Sequence, residues 1–443
     1  MGSDDETNWQ FAILKNRYII LKKIGTGGFA SVWLTYDMID LKYYAIKISN
    51  NQMYNICMEE TKIYEMIKKY ECKHLIDIVT SFNLKNDKEI YHCNVMELMG
   101  QSTYDYIKEN NKMDLTSVIK CIKHVLIGLD VLHSNGIIHG DVKPENIMMI
   151  EYHKELKGLI ERIKIEKIIF GKLTAASGKK WPQNKEKIID HIKKKLLSIQ
   201  EESTRDDSDD SSDCEEGPYS YSDADTNSDL LTICSEEEED NRSLHSAIVD
   251  NEFLYIDDLL ALWTENEDDG YTNRSDLFKL IDMGGCIIQN QKMRKQAQTS
   301  YYMAPEILLR LPYDESSDMW ALGCTIYELL TGNILFNPDK YWGNEDRYHL
   351  YLITQRLGKI PEDIIKESAY KDIFFTHDMR KVKGFQNIEN KDLVIELKNI
   401  LKSEREGRNN HADKTISLIT RCLKYHKGER ISAREAVKII GEI

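Results

Sequence analysis

The stretch from Glu201 to Asp240 limits what this chain can fold into more than any other feature. It carries 17 Asp or Glu against one Arg, with few apolar side chains between them. Such a composition cannot bury enough apolar surface to offset the entropy of ordering the backbone, so a packed core is not expected there. Its net charge of −16 accounts for the −15 of the whole 443-residue chain, and the remainder is about neutral. The acidity is local. What folds must assemble from the residues on either side, and the interruption runs roughly from 151 to 272. Inside it, KEKIIDHIKKKLLSI (185–199) fits an amphipathic helix, and AIVDNEFLYIDDLLALW (247–263) is apolar enough to dock on a folded surface.

The nine cysteines are scattered without a C-x-x-C pair, which points to a reducing compartment and away from a zinc module. No apolar run reaches the roughly 18 residues a membrane span needs. MGSDDET lacks a basic-then-apolar leader, and Glu6 stands where a myristoylation signal wants Ser or Thr. The expectation is an intracellular protein of the cytoplasm or nucleus, monomeric, with no membrane or direct nucleic-acid partner.

Before the interruption the pattern changes once. YIILKKIGTGGFASVWLTY (18–36) reads as two strands around a glycine turn, and YYAIKI (43–48) as a third. Residues 57–68 place Ile63, Tyr64 and Ile67 at helical spacing, and strands are expected at Leu75–Phe82 and Tyr91–Leu98. From residue 101 helices dominate: Ser117–His133 carries an apolar stripe, and 318–330 and 414–424 are helical too. A strand-rich beginning and a helical remainder predict an α+β protein of two lobes. The expected divisions are 18–99, 100–150, the spacer 151–272, and 273–443.

The glycine turn reads Ile24, Gly25, Thr26, Gly27, Gly28, Phe29, Ala30, Ser31, Val32. Glycines let backbone N–H groups approach phosphate oxygens with no Cβ between them. Because a strand follows the turn, a Rossmann or P-loop site is disfavoured. An ordinary hairpin turn would look similar. Lys47 sits in the next strand among Ala45, Ile46 and Ile48. If it points inward its ammonium needs a partner, and Glu60 on the following helix has a suitable phase. If it points outward it is a plain edge-strand lysine.

After the apolar GII comes HGDVKPENIMM (139–149). Asp141 and Asn146 are spaced so that both can face one small volume, a proton acceptor beside a metal ligand. Asp282 in LIDMGG (280–285) offers a second carboxylate at a strand end. Further on, TSYYMAPE (299–306), SSDMWALGC (316–324) and KGERISAREA (427–436) complete the set.

In this order the motifs resemble the eukaryotic-type protein kinases over residues 18–150 and 273–443. The resemblance implies a bilobal kinase fold, a small β-rich lobe and a larger helical one, with the spacer inserted in the second. It implies ATP and Mg²⁺ as cofactors and protein substrates as partners, with ATP seated between the lobes. Asp141 would accept the substrate hydroxyl's proton, Lys143 would neutralise the γ-phosphate, and Asn146 and Asp282 would ligate Mg²⁺. ATP would be held by residues 24–32, Ala45, Lys47 and Glu60, and by the backbone of Glu97 and Met99, with Met96 as gatekeeper. Glu306 would pair with Arg430, and Asp318 would receive backbone N–H groups around His139. Lys143 in D-x-K-x-x-N, and Thr299 seven residues before Glu306, resemble serine/threonine kinases.

SVWL after the glycine turn, Gly140 before Asp141, the long insert and RLGKIP (356–361) are similar to the SR-protein kinases. Members of that family dock Arg-rich substrates on acidic residues. The matching positions here are Asn333, Tyr348 and Gln355. The basic residues of the family's phosphate-accepting region become Ser300, Met303 and Glu345. Two alternatives stand beside the SR-type reading: an active kinase of another group without Arg/Ser preference, and a pseudokinase scaffold.

Overall fold

β-Branched and aromatic residues crowd the first hundred positions, and they form strands because such side chains pack well on a pleated surface. The structure, a computed structural model, describes all residues except 1–8, 11, 16, 28–29, 38–39, 41, 50–52, 86–88, 151–276, 289–297, 339–342, 386–391, 403–410 and 442–443. The expected spacer with its two apolar segments therefore lies outside the described residues, as do Gly28 and Phe29 of the glycine turn.

The chain divides into two compact units. In the first, β1 (Ile13–Leu14), β2 (Tyr18–Thr26), β3 (Ala30–Asp37), β4 (Lys42–Ser49), β5 (Ile78–Lys85) and β6 (Ile90–Glu97) form one sheet in the order β1-β2-β3-β4-β6-β5. Two register shifts interrupt the β2–β3 pairing, between Ile20 and Lys22 and between Lys23 and Gly25. Such irregularities bend a strand and increase its twist. Tyr18, Ile20, Trp33, Ile46, Ile48 and Val95 bury one face of the sheet in a common core. Full burial of each such side chain stabilises by about 1.5–3 kcal/mol.

The second unit holds α1 (Tyr54–Lys68), α2 (Thr103–Asn110), α3 (Leu115–Ser134), β7 (Ile137–Ile138), β8 (Ile147–Met149), β9 (Phe278–Leu280) and β10 (Ile287–Ile288). It continues through α4 (Pro305–Leu308), α5 (Ser316–Thr331), α6 (Glu345–Leu357), α7 (Glu362–Glu367), α8 (Lys371–Phe374), α9 (Leu393–Ile400), α10 (His411–Cys422) and α11 (Ala433–Gly441). Helix α3 begins at Asp114, whose carboxylate accepts the Ser117 N–H, and buries Val118, Ile122, Val125, Leu129 and Leu132. Helix α5 is buried on all sides from Ser317 to Leu330, so it forms the centre of the unit. It lies against α10 so closely that a Cβ on Gly323 would come within 2.9 Å of the Cys422 Cβ.

One element groups differently from the sequence expectation. Residues 55–79, including nearly all of α1, belong to the second unit instead of the strand-rich first one. The reason is a set of contacts that no local pattern encodes: the Ile76 N–H donates to the Leu280 carbonyl, and the Leu280 N–H to the His74 carbonyl. Those bonds also draw Leu75 and Ile76 out of the expected strand, which starts at Ile78. Among the described residues, no helix is long and apolar enough to cross a membrane.

Candidate active site

Strand β7 ends at Ile138, and the loop after it is fixed by one buried carboxylate. Asp318, in the first turn of α5, accepts the N–H of His139 at 2.7 Å and that of Gly140 at 2.8 Å, with His133 Nε2 at 2.9 Å. Three donors compensate a fully buried carboxylate for its lost hydration. His139 continues the chain of bonds: its Nδ1 accepts the Asp141 N–H, and its Nε2 faces the Ile281 carbonyl at 3.0 Å. The donor and acceptor roles fit one neutral tautomer, with the proton on Nε2. Gly140 has φ of +77°, a region that favours glycine.

The loop places Asp141 at the centre of a closed network. Thr299 donates its hydroxyl to Asp141 Oδ1 at 2.7 Å, and its N–H reaches the same oxygen at 3.3 Å. Lys143 Nζ lies 2.7 Å from Asp141 Oδ2 and donates to Thr299 Oγ1 at 2.8 Å. Asn146 Nδ2 donates to Asp141 Oδ2 at 2.9 Å and to the Asp141 carbonyl at 2.8 Å. Every side chain fixes its neighbour. Lys143 and Asp141 remain partly open to solvent, with side-chain exposures of 18% and 19%.

Asn146 stands at the start of β8, and β8 pairs antiparallel with β9, Ile147 opposite Leu280. The Ile281 N–H donates to the Asn146 carbonyl at 2.9 Å. The pairing thus brings the start of one strand beside the end of the other, and Asp282 follows directly. Asp282 has φ of +63°, a left-handed conformation that Asp tolerates better than most residues, and its carboxylate accepts the Gly284 N–H. Because Asn146 spends its amide nitrogen on Asp141, its Oδ1 is the atom left for a cation. An amide oxygen and a carboxylate are the hard ligands Mg²⁺ prefers, and Mg²⁺ commonly keeps waters and substrate oxygens for its other positions. The donor set fits that ion.

Glu60, only 2% exposed, also belongs to this unit, close to Gly284: a Cβ built there would lie 3.8 Å from its carboxyl carbon. Met99 is buried in the same unit. Deeper in, Arg430 makes two bonds of 2.6 Å to the Glu306 carboxylate and further bonds to the Lys424 and Ser316 carbonyls. Both pairings expected from the sequence, Glu306 with Arg430 and Asp318 with the backbone near His139, are present. Not anticipated was Tyr64, read as an apolar stripe residue. Its hydroxyl donates to Glu60 Oε1 at 2.9 Å. A tyrosine one helical turn after a buried glutamate was the available signal.

In the first unit, β3 and β4 pair so that Val32 lies opposite Lys47 and Leu34 opposite Ala45, while β6 puts Met96 opposite Ala45. Val32, Ala45, Lys47 and Met96 therefore share the sheet face turned away from the Trp33–Ile46–Ile48 core. Lys47 is half-buried there, Ile24 is 39% exposed, and Glu97 ends β6. Gly25 pairs with Val32, Thr26 with Ser31, and the Gly27 N–H closes the turn on the Ala30 carbonyl at 2.9 Å. A Cβ on Gly25 would meet Val32 at 3.6 Å, an ordinary contact, and neither Gly25 nor Gly27 has a positive φ. The hairpin itself does not require glycine at these two positions.

The protein kinase domain profile matches residues 18–166 and 267–439. A provisionally named serine/threonine-protein kinase, L205, of Acanthamoeba polyphaga mimivirus is 29% identical over 98% of this chain and 89% of its own length. The serine/threonine-protein kinase SRPK of Physarum polycephalum is 24% identical over 96% of this chain and 86% of its own. SRSF protein kinase 3 of Mus musculus is 23% identical over 82% of this chain and 76% of its own. With the kinase profile spanning both sides of the insert and relatives of this kind along nearly its full length, the chain belongs to the protein kinase domain family as a serine/threonine protein kinase.

Proposed function

We propose that this kinase transfers the γ-phosphoryl group of ATP to Ser or Thr hydroxyls of proteins, and that it does so without a strong preference for Arg/Ser-rich segments. The closed network of Asp141, Lys143, Asn146 and Thr299 carries the catalytic part of the reading. Asp141 takes the proton of the substrate hydroxyl as that oxygen bonds to the γ-phosphorus and the bond to the β,γ-bridging oxygen breaks, releasing ADP. Lys143 offsets charge on the moving phosphoryl group, and Thr299 holds Lys143 and Asp141 in register. Asn146 Oδ1 and Asp282 would hold Mg²⁺, which neutralises phosphate charge and orients the phosphates when bound. Residues 24–32 and Lys47 align the phosphates, and Glu60 contributes a buried negative charge beside the Asp282 loop. Ile24, Val32 and Ala45 contact the adenine, and the backbone of Glu97 hydrogen-bonds it. Little covalent chemistry falls to the protein, so positioning and electrostatics supply most of the acceleration.

The substrate part rests on three neutral side chains. Asn333 donates to the Thr331 carbonyl, Tyr348 lies against Phe385 at 5.6 Å between ring centroids, and Gln355 donates to the Tyr351 hydroxyl. None offers a carboxylate to a guanidinium. Low identity to the SR-type relatives is consistent with a shifted preference. We place the kinase in a reducing intracellular compartment, as a monomer, in keeping with seven free cysteines among the described residues.

The test is phosphorylation by the full chain, with MgATP, of an Arg-Ser repeat peptide beside an acidic casein-like peptide. The expected outcome is magnesium-dependent turnover with a kcat/KM ratio within about tenfold between the two. A hundredfold preference for the Arg-Ser peptide would overturn the substrate part. ATP binding without turnover of any protein or peptide would favour a scaffold.

A further inference from the structure

Tyr64 lies on α1, one turn after Glu60, and is 2% exposed. An apolar side chain would fill that position equally well, so its hydroxyl calls for an explanation: burying one without partners is costly. It has two. It donates to Glu60 Oε1 at 2.9 Å and lies 3.5 Å from the Met283 N–H, which points at it as donor. Burial, the largest cause, raises the Tyr64 pKa well above the ordinary value, and the geometry makes its hydroxyl the donor to Glu60.

The second partner is the informative one. Met283 immediately follows Asp282, and its side chain is buried, 1% exposed. Its N–H faces the phenol while Asp282 holds a left-handed backbone conformation, φ +63°. Glu60 lies near the same loop, beside Gly284. One hydroxyl thus touches both the carboxylate on the helix and the backbone of the loop that carries Asp282.

We infer that Tyr64 is a positioning residue for phosphoryl transfer, its hydroxyl latching Glu60 of α1 to the Asp282–Met283 backbone so that helix and metal-binding loop keep their active arrangement together. This rests on the roles proposed above for Glu60 and Asp282, and it adds a residue that acts only through them. Tyr64 transfers no proton and touches no substrate.

The test uses the full chain in four forms: wild type, Tyr64→Phe, Glu60→Gln and the double variant. For each, kcat and KM for ATP are measured across Mg²⁺ concentrations, with KM for peptide and Tm alongside. Phenylalanine keeps the ring and its packing, so Tm should fall by only a few degrees. Losing a hydrogen bond to a charged group should lower kcat/KM for ATP about tenfold, with KM for peptide unchanged. The Mg²⁺ concentration giving half-maximal rate should rise, because the Asp282 loop is less well held. In the Glu60→Gln background the same change should add less than twofold, since the latch has already lost its charged end.

A Tyr64→Phe enzyme within twofold of wild type overturns the inference. So does a loss that multiplies in full on top of Glu60→Gln, or a fall in Tm with unchanged kcat/KM per folded molecule, which makes Tyr64 a packing residue. Failure of the underlying reading has a different signature. If Glu60→Gln, Lys47→Met and Asp141→Asn all keep wild-type turnover, the catalytic assignment itself is wrong, whatever Tyr64 does.

Discussion

Asp141 illustrates how much of a site's behaviour resides in single side chains. Its two carboxylate oxygens take bonds from Thr299, Lys143 and Asn146, so the group is aimed before any substrate arrives. Asp141→Ala should cut kcat about 10²–10⁴-fold, the usual worth of a positioned general base, with KM for ATP changed far less. Steady-state rates of the variant and wild type check this, and equal rates would remove Asp141 from the mechanism. His349 on α6 makes the opposite kind of statement, about stability. Neither ring nitrogen has a hydrogen-bond partner among the described residues, and Phe336 lies 5.9 Å away between ring centroids. Complete burial lowers its pKa from 6.5 to about 3. A histidine with a depressed folded pKa is protonated first in the unfolded chain, so its neutral form favours folding above pH 6.5. That advantage disappears as pH falls from about 6.5 toward 3, at roughly 1.4 kcal/mol per unit. His349→Leu should therefore flatten the fall in Tm between pH 6.5 and 4.5 relative to wild type. Parallel Tm–pH curves for the two proteins would refute the assignment.

At the scale of elements, α5 organises most of the second unit. Its first turn supplies Asp318 to the loop before Asp141, its middle buries Trp320 and Ile326, and its end closes on Gly332. Gly332 has φ of +69°, and a Cβ there would lie 1.8 Å from the Asn111 carbonyl oxygen at the end of α2. Gly332→Ala combines left-handed strain with a backbone clash and should destabilise by about 2–4 kcal/mol. Gly25→Ala is the useful contrast, because a Cβ at Gly25 meets only Val32 at 3.6 Å and φ is not positive. It should leave Tm within a few degrees while raising KM for ATP severalfold, since the added methyl would stand where the proposed function brings phosphate oxygens. Calorimetry with ATP titration separates the two. If Gly25→Ala unfolds the protein and Gly332→Ala does not, the structural and functional glycines have been exchanged. The Glu306–Arg430 pair acts at this scale too. It ties α4 to the loop before α11 with both charges almost fully buried, so removing either partner alone leaves the other uncompensated.

For the whole molecule, the acidic stretch gives the clearest forecast. Closing a loop costs only about 0.6 kcal/mol more for each doubling of its length, and the residues of the site lie on either side of the insert. Deletion of residues 203–243 should leave peptide phosphorylation within about threefold; collapse of folding or turnover would make the insert part of the catalytic architecture. What the sequence determined by itself was local. The hairpin around Gly25, the stripe of α3 and the spacing from Asp141 to Asn146 each depend on residues a few positions apart, and periodicity or loop chemistry encodes them directly. The two-lobe class followed from the order of strand and helix patterns, and the split by the insert from composition. Tertiary structure decided what depends on distant partners. Thr299 reaches Asp141 across 158 positions, and Asp318 reaches His139 across 179. Leu75 and Ile76 fit a strand pattern, yet they are drawn to Leu280 instead, and α1 goes with them into the second unit. Tyr64 had the spacing of an ordinary core residue. Apolar periodicity records which face of a helix is buried but not which polar atoms wait on the other side, and a hydroxyl takes its meaning from those.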